Sequence, residues 1–285
     1  MVVEFDNVTF KYTGIGASQQ NVLENISFAL KGSHCTAIIG PSGSGKTTLV
    51  QHFTGLLKPV SGNIHIDGEN IWHSSFSLPK LRKRIGIVFQ FPENQLFEET
   101  VEKDVAFGPK NVGIAPESIP LVVRQAMEIV ELDPDKFSQR SPFRLSEGEK
   151  RRAAIAGVLA MDSEMIILDE PTAGLDPQGV HLIEKIIKKL LSQQKSVVVI
   201  THNMDFVAQV CQRAIVLNSG RIVFDGYVRD LFSHTILQQM GLELPQFVQA
   251  ITNLPASIPA EFRKCLTFEE LLKTQSLYLR KSLAK

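Results

Sequence analysis

Residues 36–48 most constrain what this chain can become. The apolar run Thr36-Ala37-Ile38-Ile39 leads directly into Gly40-Pro41-Ser42-Gly43-Ser44-Gly45-Lys46-Thr47-Thr48, and a helical pattern follows as far as about Gly55. This is the pattern G-x-x-x-x-G-K-[ST] set between a strand and a helix, the context a phosphate-binding loop requires. Glycines let backbone N–H groups curl around phosphate oxygens, and a helix N-terminus adds partial positive charge. Lys46 is expected to reach the β and γ phosphates of a nucleotide, and Thr47 to offer its hydroxyl to Mg²⁺.

Runs of the same short, continuously apolar kind recur at Ile85–Phe89, Met165–Leu168, Val197–Ile200 and Ala214–Leu217. Strands buried on both faces of a parallel sheet read this way. Helical patterns lie between them. Residues 181–192 place Leu182, Ile183, Ile186, Ile187, Leu190 and Leu191 on one side of a helix. The alternation predicts a doubly wound sheet. Residues 1–12, Asn25–Leu30 and Asn63–Ile66 instead alternate apolar with polar, as antiparallel strands with one wet face do, with turn chemistry at Gly62-Asn63 and Asp67-Gly68. Asn218-Ser219-Gly220 reads as a hairpin turn before Arg221–Phe224. Beyond about residue 240, Gly241, Pro245, Pro255 and Pro259 cut the chain into short pieces, leaving helical patterns near Gln246–Leu254 and Phe268–Lys273. The expected division is a main domain over 1–240 and a small accessory domain over 241–285.

Composition narrows the classes. Thirty basic and thirty acidic residues cancel, so the chain has no overall attraction to nucleic acid. Cys35, Cys211 and Cys265 stand far apart along the sequence and read as buried free thiols in a reducing compartment; no Cys or His pair has metal-ligand spacing. The N-terminal MVVEFDNVTF lacks the basic and apolar regions of a signal peptide, and no apolar run approaches the roughly 18 residues of a membrane span. Work at a membrane would therefore need another protein to hold the chain there.

Acids and amides gather at the ends of the apolar runs. Met165–Leu168 ends in Asp169-Glu170, where Asp169 can hold Mg²⁺ through water and Glu170 can polarise an attacking water as general base. His202 follows the run Val197–Ile200, at the carboxyl end of a central strand, and is expected to contact the γ-phosphate or the water. Gln90 ends the run at 85–89 and is placed to meet both metal and water.

Leu145-Ser146-Glu147-Gly148-Glu149 precedes another helix. Ser146 and Glu149 form an S-x-x-E capping box. The same string, 20 residues before Asp169-Glu170, resembles the signature loop of ABC ATPases. Asp176, in Ala173-Gly174-Leu175-Asp176-Pro177, is similar to that family's D-loop. Phosphate loop, Gln90, signature, Asp169-Glu170, D-loop and His202 follow one another in family order over residues 1–240. The resemblance implies an α/β fold of the P-loop NTPase, ABC ATPase type: a parallel core sheet, an antiparallel β subdomain, a helical subdomain and a small C-terminal helical domain. It implies ATP and Mg²⁺ as ligands. It further implies a head-to-tail dimer in which Ser146 and the Gly148 N–H serve the partner's nucleotide, Asp176 as a nucleotide-binding D-loop residue, and an aromatic, Tyr12, that stacks on adenine.

Glu147 departs from the family pattern, which has Gly there. About 6 Å from a γ-phosphate at an effective dielectric near 20, one like charge costs about 3 kcal/mol. A side chain turned to solvent would escape most of that. The expectation is a motor with unequal sites.

The string Phe91-Pro92-Glu93-Asn94-Gln95-Leu96-Phe97-Glu98-Glu99-Thr100-Val101, running on to Gly108, is not required by ATP chemistry. With SPFRLSEGEKRRAAIAGVLAM it resembles the ATPases of energy-coupling-factor (ECF) transporters for vitamins and metals, and the second of the two paralogous ATPases most. That implies a paralogous ATPase as heterodimer partner, a groove at residues 90–108 that receives a transmembrane T component, indirect contact with a substrate-binding S component, and a peripheral place on the cytoplasmic face of a bacterial cell membrane. Glu93, Glu98 and Glu99 are candidates to meet basic residues in the groove. The nearest rival is a homodimeric cobalt- or nickel-type importer ATPase. A nucleic-acid ABC ATPase is disfavoured: the 100 residues from Lys46 to Ser146 hold no sustained heptads, and there is one phosphate loop.

Overall fold

The computed structural model describes residues 1–12, 20–233, 235–253 and 259–283. Its strands are β1 (Val2–Phe10), β2 (Leu23–Lys31), β3 (Cys35–Ile39), β4 (Ser61–Ile66), β5 (Glu69–Asn70), β6 (Ile85–Val88), β7 (Met165–Asp169), β8 (Ser196–Ile200), β9 (Arg213–Asn218) and β10 (Arg221–Tyr227). They form two sheets, divided as the sequence textures divide. The alternating strands make an antiparallel sheet in the order β2-β1-β4-β5; the five apolar runs, with the alternating β10 added at one edge, make a six-stranded sheet in the order β10-β9-β3-β8-β7-β6. In the latter all neighbours from β9 to β6 are parallel, and β10 is an antiparallel edge. Every residue of β3, β7 and β8 is buried, which is why these strands carry no polar alternation.

Side-chain alternation sorts one strand into two cores. Ala37 and Ile39 of β3 face a cluster built with Ile183 and Ile187 of the helix Pro177–Ser192. Ile38, between them, faces the opposite cluster, with Leu49 and Phe53 of the helix Lys46–Phe53 and with Val3 and Phe5 of the antiparallel sheet. Leu49 and Phe53 are fully buried. Truncating either to Ala would cost about 3–5 kcal/mol, so the helix behind the glycine loop is firmly seated. Three further helices, Val101–Asn111, Ile119–Ile129 and Glu147–Leu159, pack on one another through Val105, Met127 and Ala156.

Several expectations change in detail. Gly62 lies inside β4 rather than in a turn, opposite a register break of β1 between Asp6 and Thr9. Asp67-Gly68 and Ser219-Gly220 are the two-residue turns, with φ of +51° and +87° and of +48° and +75°. The helix at 181–192 begins earlier, at Pro177. The C-terminal pattern at Phe268–Lys273 is the first third of a helix reaching Leu283; its apolar period fades after Lys273, but no Gly or Pro stops it. The pattern at Gln246–Leu254 is a helix over Gln246–Thr252, while Leu254 and Pro255 lie outside the described residues. Residues beyond 240 pack on the main core through Leu244, Val248 and Leu266. Polar ties add to this: Gln246 N–H donates to Asp205 Oδ1 (2.8 Å), and Arg229 pairs with Glu270 (3.1 Å).

Two of the thiols separated in sequence meet in space. Cys35 and Cys211 Sγ atoms lie 3.3 Å apart, because β9, which follows Cys211, pairs with β3, which begins at Cys35. Burial, and next its contact with Cys35, pushes the Cys211 thiol up, so it stays neutral. Among the described residues no helix is long and apolar enough to cross a membrane.

Candidate functional site

Strand order sets the site. β3, β8, β7 and β6 lie side by side, and Ile38 is level with Ile200, Asp169 with Ile200, and Val88 with Leu168. The glycine loop, Thr201-His202, Asp169-Glu170 and Gln90 therefore leave one sheet edge, at the strands' carboxyl ends, where ligands bind in such sheets.

The loop is fitted to its place. A Cβ at Gly40 would sit 2.2 Å from the Leu217 carbonyl oxygen, and one at Gly45, whose φ is +103°, 2.8 Å from that of Val22. Gly45 caps the helix Lys46–Phe53 without any side-chain hydrogen bond, and no acid stands in the first turn. The helix's first N–H groups are thus left for an anion. Pro41, Ser42 and Gly43 form the outer rim, Ser42 and Gly43 exposed. Ser44 Oγ is buried and finds no partner among the described residues. Lys46 folds over the loop, donating from Nζ to Gly40 O (2.8 Å) and Pro41 O (2.9 Å). Burial lowers its pKa, against the attraction of Glu170 and Asp169. Thr47 is exposed. Thr48 is buried, and its hydroxyl lies 3.2 Å from the Tyr12 hydroxyl. The Tyr12 ring stands edge-on to Phe10 and is 47% exposed, leaving a face beside the loop on which a planar group can stack.

Across the edge, Glu170 adopts φ +46°, a conformation that costs a non-glycine residue roughly 1–2 kcal/mol. Its N–H donates to Ile200 O (2.8 Å). Its carboxylate is held at both oxygens: His202 Nδ1 is 2.8 Å from Oε1, and the Thr201 hydroxyl donates to Oε2 (3.1 Å). Thr201 is fully buried and also accepts the Asn203 N–H (3.1 Å). Asp169, beside it, is pushed up to about 6, chiefly by burial and next by the charge of Glu170, with Lys46 opposing. A nearby cation would favour its ionised form. Thr47, Asp169 and Gln90 are hard oxygen donors of the kind Mg²⁺ prefers, and the cost of ionising Asp169 is what such a cation would relieve. The residues fit the ion.

Sequence reading missed Thr201 as a functional group. A threonine at the end of a valine run reads as a strand residue, and only the geometry reveals its contact with Glu170.

Ser146, Gly148 and Asp176 form a second set. Ser146 Oγ accepts the Glu149 N–H (3.3 Å) and donates to Glu149 Oε2 (2.9 Å), which also accepts the Ser146 N–H (2.8 Å): the capping box is complete. Asp176 Oδ1 accepts the Gly179 N–H (2.7 Å) and so caps the helix Pro177–Ser192. Gly148 and Asp176 line one cleft of about 550 Å³ together with Glu93, Glu147 and Arg151. None of Lys46, Asp169 and Glu170 lines that cleft.

The segment at 90–108 forms an apolar groove of about 430 Å³ with Leu96, Phe97, Phe107 and Met161 in its walls. Phe97 and Phe107 are exposed and meet edge to face, 4.8 Å between centres. Asp104 braces the groove by accepting the N–H groups of Glu98 (3.0 Å) and Phe97 (3.4 Å). The acids are less available than the sequence implied. Glu93 turns inward to Arg151 (3.2 Å), and Glu99 pairs with Lys103 of the following helix (2.5 Å).

Residues 23–173 match the family described as ABC transporter. The chain is 44% identical, over 89% of its length and 90% of the relative's, to the energy-coupling factor transporter ATP-binding protein EcfA2 of Clostridium perfringens. A solved structure of cbiO1 from the same organism, described as part of the ABC transporter complex cbiONQ, matches with a TM-score of 0.73 and 35% identity over 88% of this chain and 98% of that one. A dimeric ATP-binding cassette in a post-hydrolysis state with ADP and Pi matches with a TM-score of 0.68 and 28% identity over 79% of this chain and 98% of that one. The fold, the order of the site residues and these relatives agree: the chain belongs to the ABC transporter family, among its energy-coupling factor transporter ATP-binding proteins.

Proposed function

We propose that this chain is the ATP-hydrolysing subunit of an energy-coupling factor importer. On this reading it is held at the cytoplasmic face of the cell membrane by a transmembrane T component and paired with a paralogous ATPase; a substrate-binding S component chooses the vitamin or micronutrient. The observation that carries the reading is the Glu170 carboxylate, fixed by Thr201 and His202 on the same sheet edge as the Lys46 loop.

The loop's N–H groups and Lys46 bind the phosphates of ATP. Lys46 now donates to two loop carbonyls, and it exchanges them for phosphate oxygens when the substrate enters. Tyr12 stacks on the base. Thr47, Asp169 and Gln90 would hold Mg²⁺, which when bound would neutralise charge on the phosphates. Glu170 accepts a proton from the attacking water, while Thr201 and His202 keep its oxygens oriented. Ser146, Gly148 and Asp176 meet the nucleotide of the partner ATPase. The two apolar rings of the groove, Phe97 and Phe107, receive the membrane component. Residues 241–285 add to the pairing of the two ATPases. ATP favours the closed pair and its products the open one, and that difference in affinity drives the membrane partner.

A paralogue suits Glu147 better than a second copy would. A homodimer would place this acid in both composite sites, whereas a mixed pair confines it to one. Gel filtration of the chain alone and with its paralogue separates the two arrangements. For catalysis, Glu170→Gln is expected to bind ATP with affinity unchanged within about two-fold and to lose turnover by about 100-fold or more; turnover that survives refutes the assignment of the base.

A further inference from the structure

The four-residue turn Pro92–Gln95 separates the groove from the cleft. Gln95, Leu96 and Phe97 line the groove, whereas Phe91, Glu93 and Asn94 line the cleft. Arg151, five residues past Ser146 on the helix Glu147–Leu159, lies beneath this turn and is only 6% exposed. Its Nε donates to Glu93 Oε2 (3.2 Å), and its Nη1 donates to the Ala173 carbonyl oxygen (2.6 Å). The guanidinium carbon stands 5.9 Å from the centre of the Phe91 ring. Phe91 itself is held at φ +54°, a conformation that bulky residues keep only where their surroundings impose it. Ala173 precedes Asp176 by three residues, on the loop that enters the cleft.

One planar cation therefore joins three pieces of chain: the turn beside the groove, the helix that starts at the signature, and the loop that carries Asp176. The fork of the guanidinium matters. It serves a carboxylate and a carbonyl at once in fixed directions, which a lysine's point charge does not. The Glu93 side chain is 17% exposed and that of Arg151 7%, so the pair is nearly dry, and losing either partner strands a buried charge. A shift of the turn must carry Arg151 with it.

We propose that Arg151 is the positioning residue that transmits occupancy of the groove to the cleft, holding the Ala173–Asp176 loop in register with the turn Pro92–Gln95. It touches neither the phosphate loop nor Glu170; it acts through Ala173 on the residues that meet the partner's nucleotide. The proposal rests on the groove and paired-site reading above.

The test uses the two ATPases reconstituted with their transmembrane component in lipid vesicles. This chain is supplied as wild type, Arg151→Gln, Arg151→Lys, Glu93→Gln, or the double variant Glu93→Gln/Arg151→Gln. Turnover is followed against ATP concentration with and without the membrane component, and retention of that component is measured by affinity capture. Arg151→Gln and Glu93→Gln are each expected to lower the ratio of turnover with to turnover without the membrane component by about five-fold. The KM for ATP should stay within about two-fold. The double variant should be no worse than the more severe single one, because both remove one link, and Arg151→Lys should fall between. An unchanged ratio in the single variants, losses that multiply in the double, or a KM that rises with the loss overturns the proposal. If Arg151→Gln does not fold, Glu93→Gln decides. Capture keeps the two readings apart: a wild-type pair that fails to retain the membrane component refutes the groove and this proposal together, whereas retention with an unchanged ratio refutes only the role of Arg151.

Discussion

Glu170 has an unusual backbone and an ordinary side chain. The φ of +46° turns its carboxylate toward Thr201 and His202, and the N–H bond to Ile200 holds the residue in that conformation. Thr201→Val removes the buried hydroxyl at nearly constant volume. Turnover is expected to fall about ten-fold with the KM for ATP unchanged, and stability to fall by about 1–2 kcal/mol, since the Asn203 N–H also loses its acceptor. Thr201→Ser should restore most of the rate; a rate unaffected by Thr201→Val would remove the residue from the site. Asp169 supplies a pH-dependent counterpart. Its folded value of about 6 lies above its ordinary 3.8, so the ionised form is what the fold disfavours. The cost is absent when both states are protonated, grows from about pH 4 to 6 and is complete above that. Allowing for solvent at the mouth of the site, it amounts to about 1–2 kcal/mol. Asp169→Asn should therefore raise the melting temperature of the nucleotide-free protein by roughly 2–4 °C at pH 8, with the gain shrinking toward pH 5. A gain that is equal at both pH values would show that burial of the charge is not its origin.

Elements were legible where their signals are local. The phosphate loop is a contiguous string, and the strands β3, β7 and β8 are apolar on both faces, so sequence located them to within a residue. What depends on neighbours in space was hidden. Cys35 and Cys211 meet only because β9 lies beside β3, and Glu93, expected from sequence to meet a partner's basic residues in the groove, pairs instead with Arg151 of this chain. The last helix, Phe268–Leu283, outruns its sequence pattern for a related reason. Phe268, Leu272, Leu277 and Tyr278 are all exposed; Phe268 meets Phe247 edge-on and Tyr278 lies against Phe262, but these contacts cover its apolar side only in part, so the helix lacks the burial that marks a core-facing one. Exposed apolar side chains on one helix suit an interface between chains. Leu272→Ser with Leu277→Ser should leave the melting temperature of the isolated chain within about 2 °C while weakening its pairing with the second ATPase, measured by sedimentation. Pairing of undiminished affinity would detach this helix from the dimer.

At the scale of the whole molecule, the two sets of site residues lie apart, and on the proposed reading they face different nucleotides, so that the chain completes neither site alone. Its own loop, Asp169 and Glu170 are intact. Its signature end carries two acids, and they behave differently. Glu149 spends its carboxylate inside the capping box, and the hydrogen bonds to Ser146 hold its pKa down. The price falls on Ser146, whose hydroxyl donates to Glu149 and must turn before it can donate to a phosphate. Glu147 is exposed on the rim of the cleft that Gly148 and Asp176 share. That exposure changes the magnitude expected from sequence. With water around it, one charge about 6 Å from a γ-phosphate costs about 0.7 kcal/mol rather than about 3. The composite site using this signature is then weakened about three-fold, not abolished. Glu147→Gly should strengthen ATP-driven association of the pair, lowering the ATP concentration that gives half-maximal dimer by about three-fold at low salt, and by less at 0.5 M salt, where screening already removes the repulsion. A Glu introduced at the paralogue's corresponding position should lower association at the other site by about the same factor. A gain of ten-fold or more would mean that the closed pair buries Glu147, and no gain at either salt would mean that the side chain points away from the phosphate throughout the cycle.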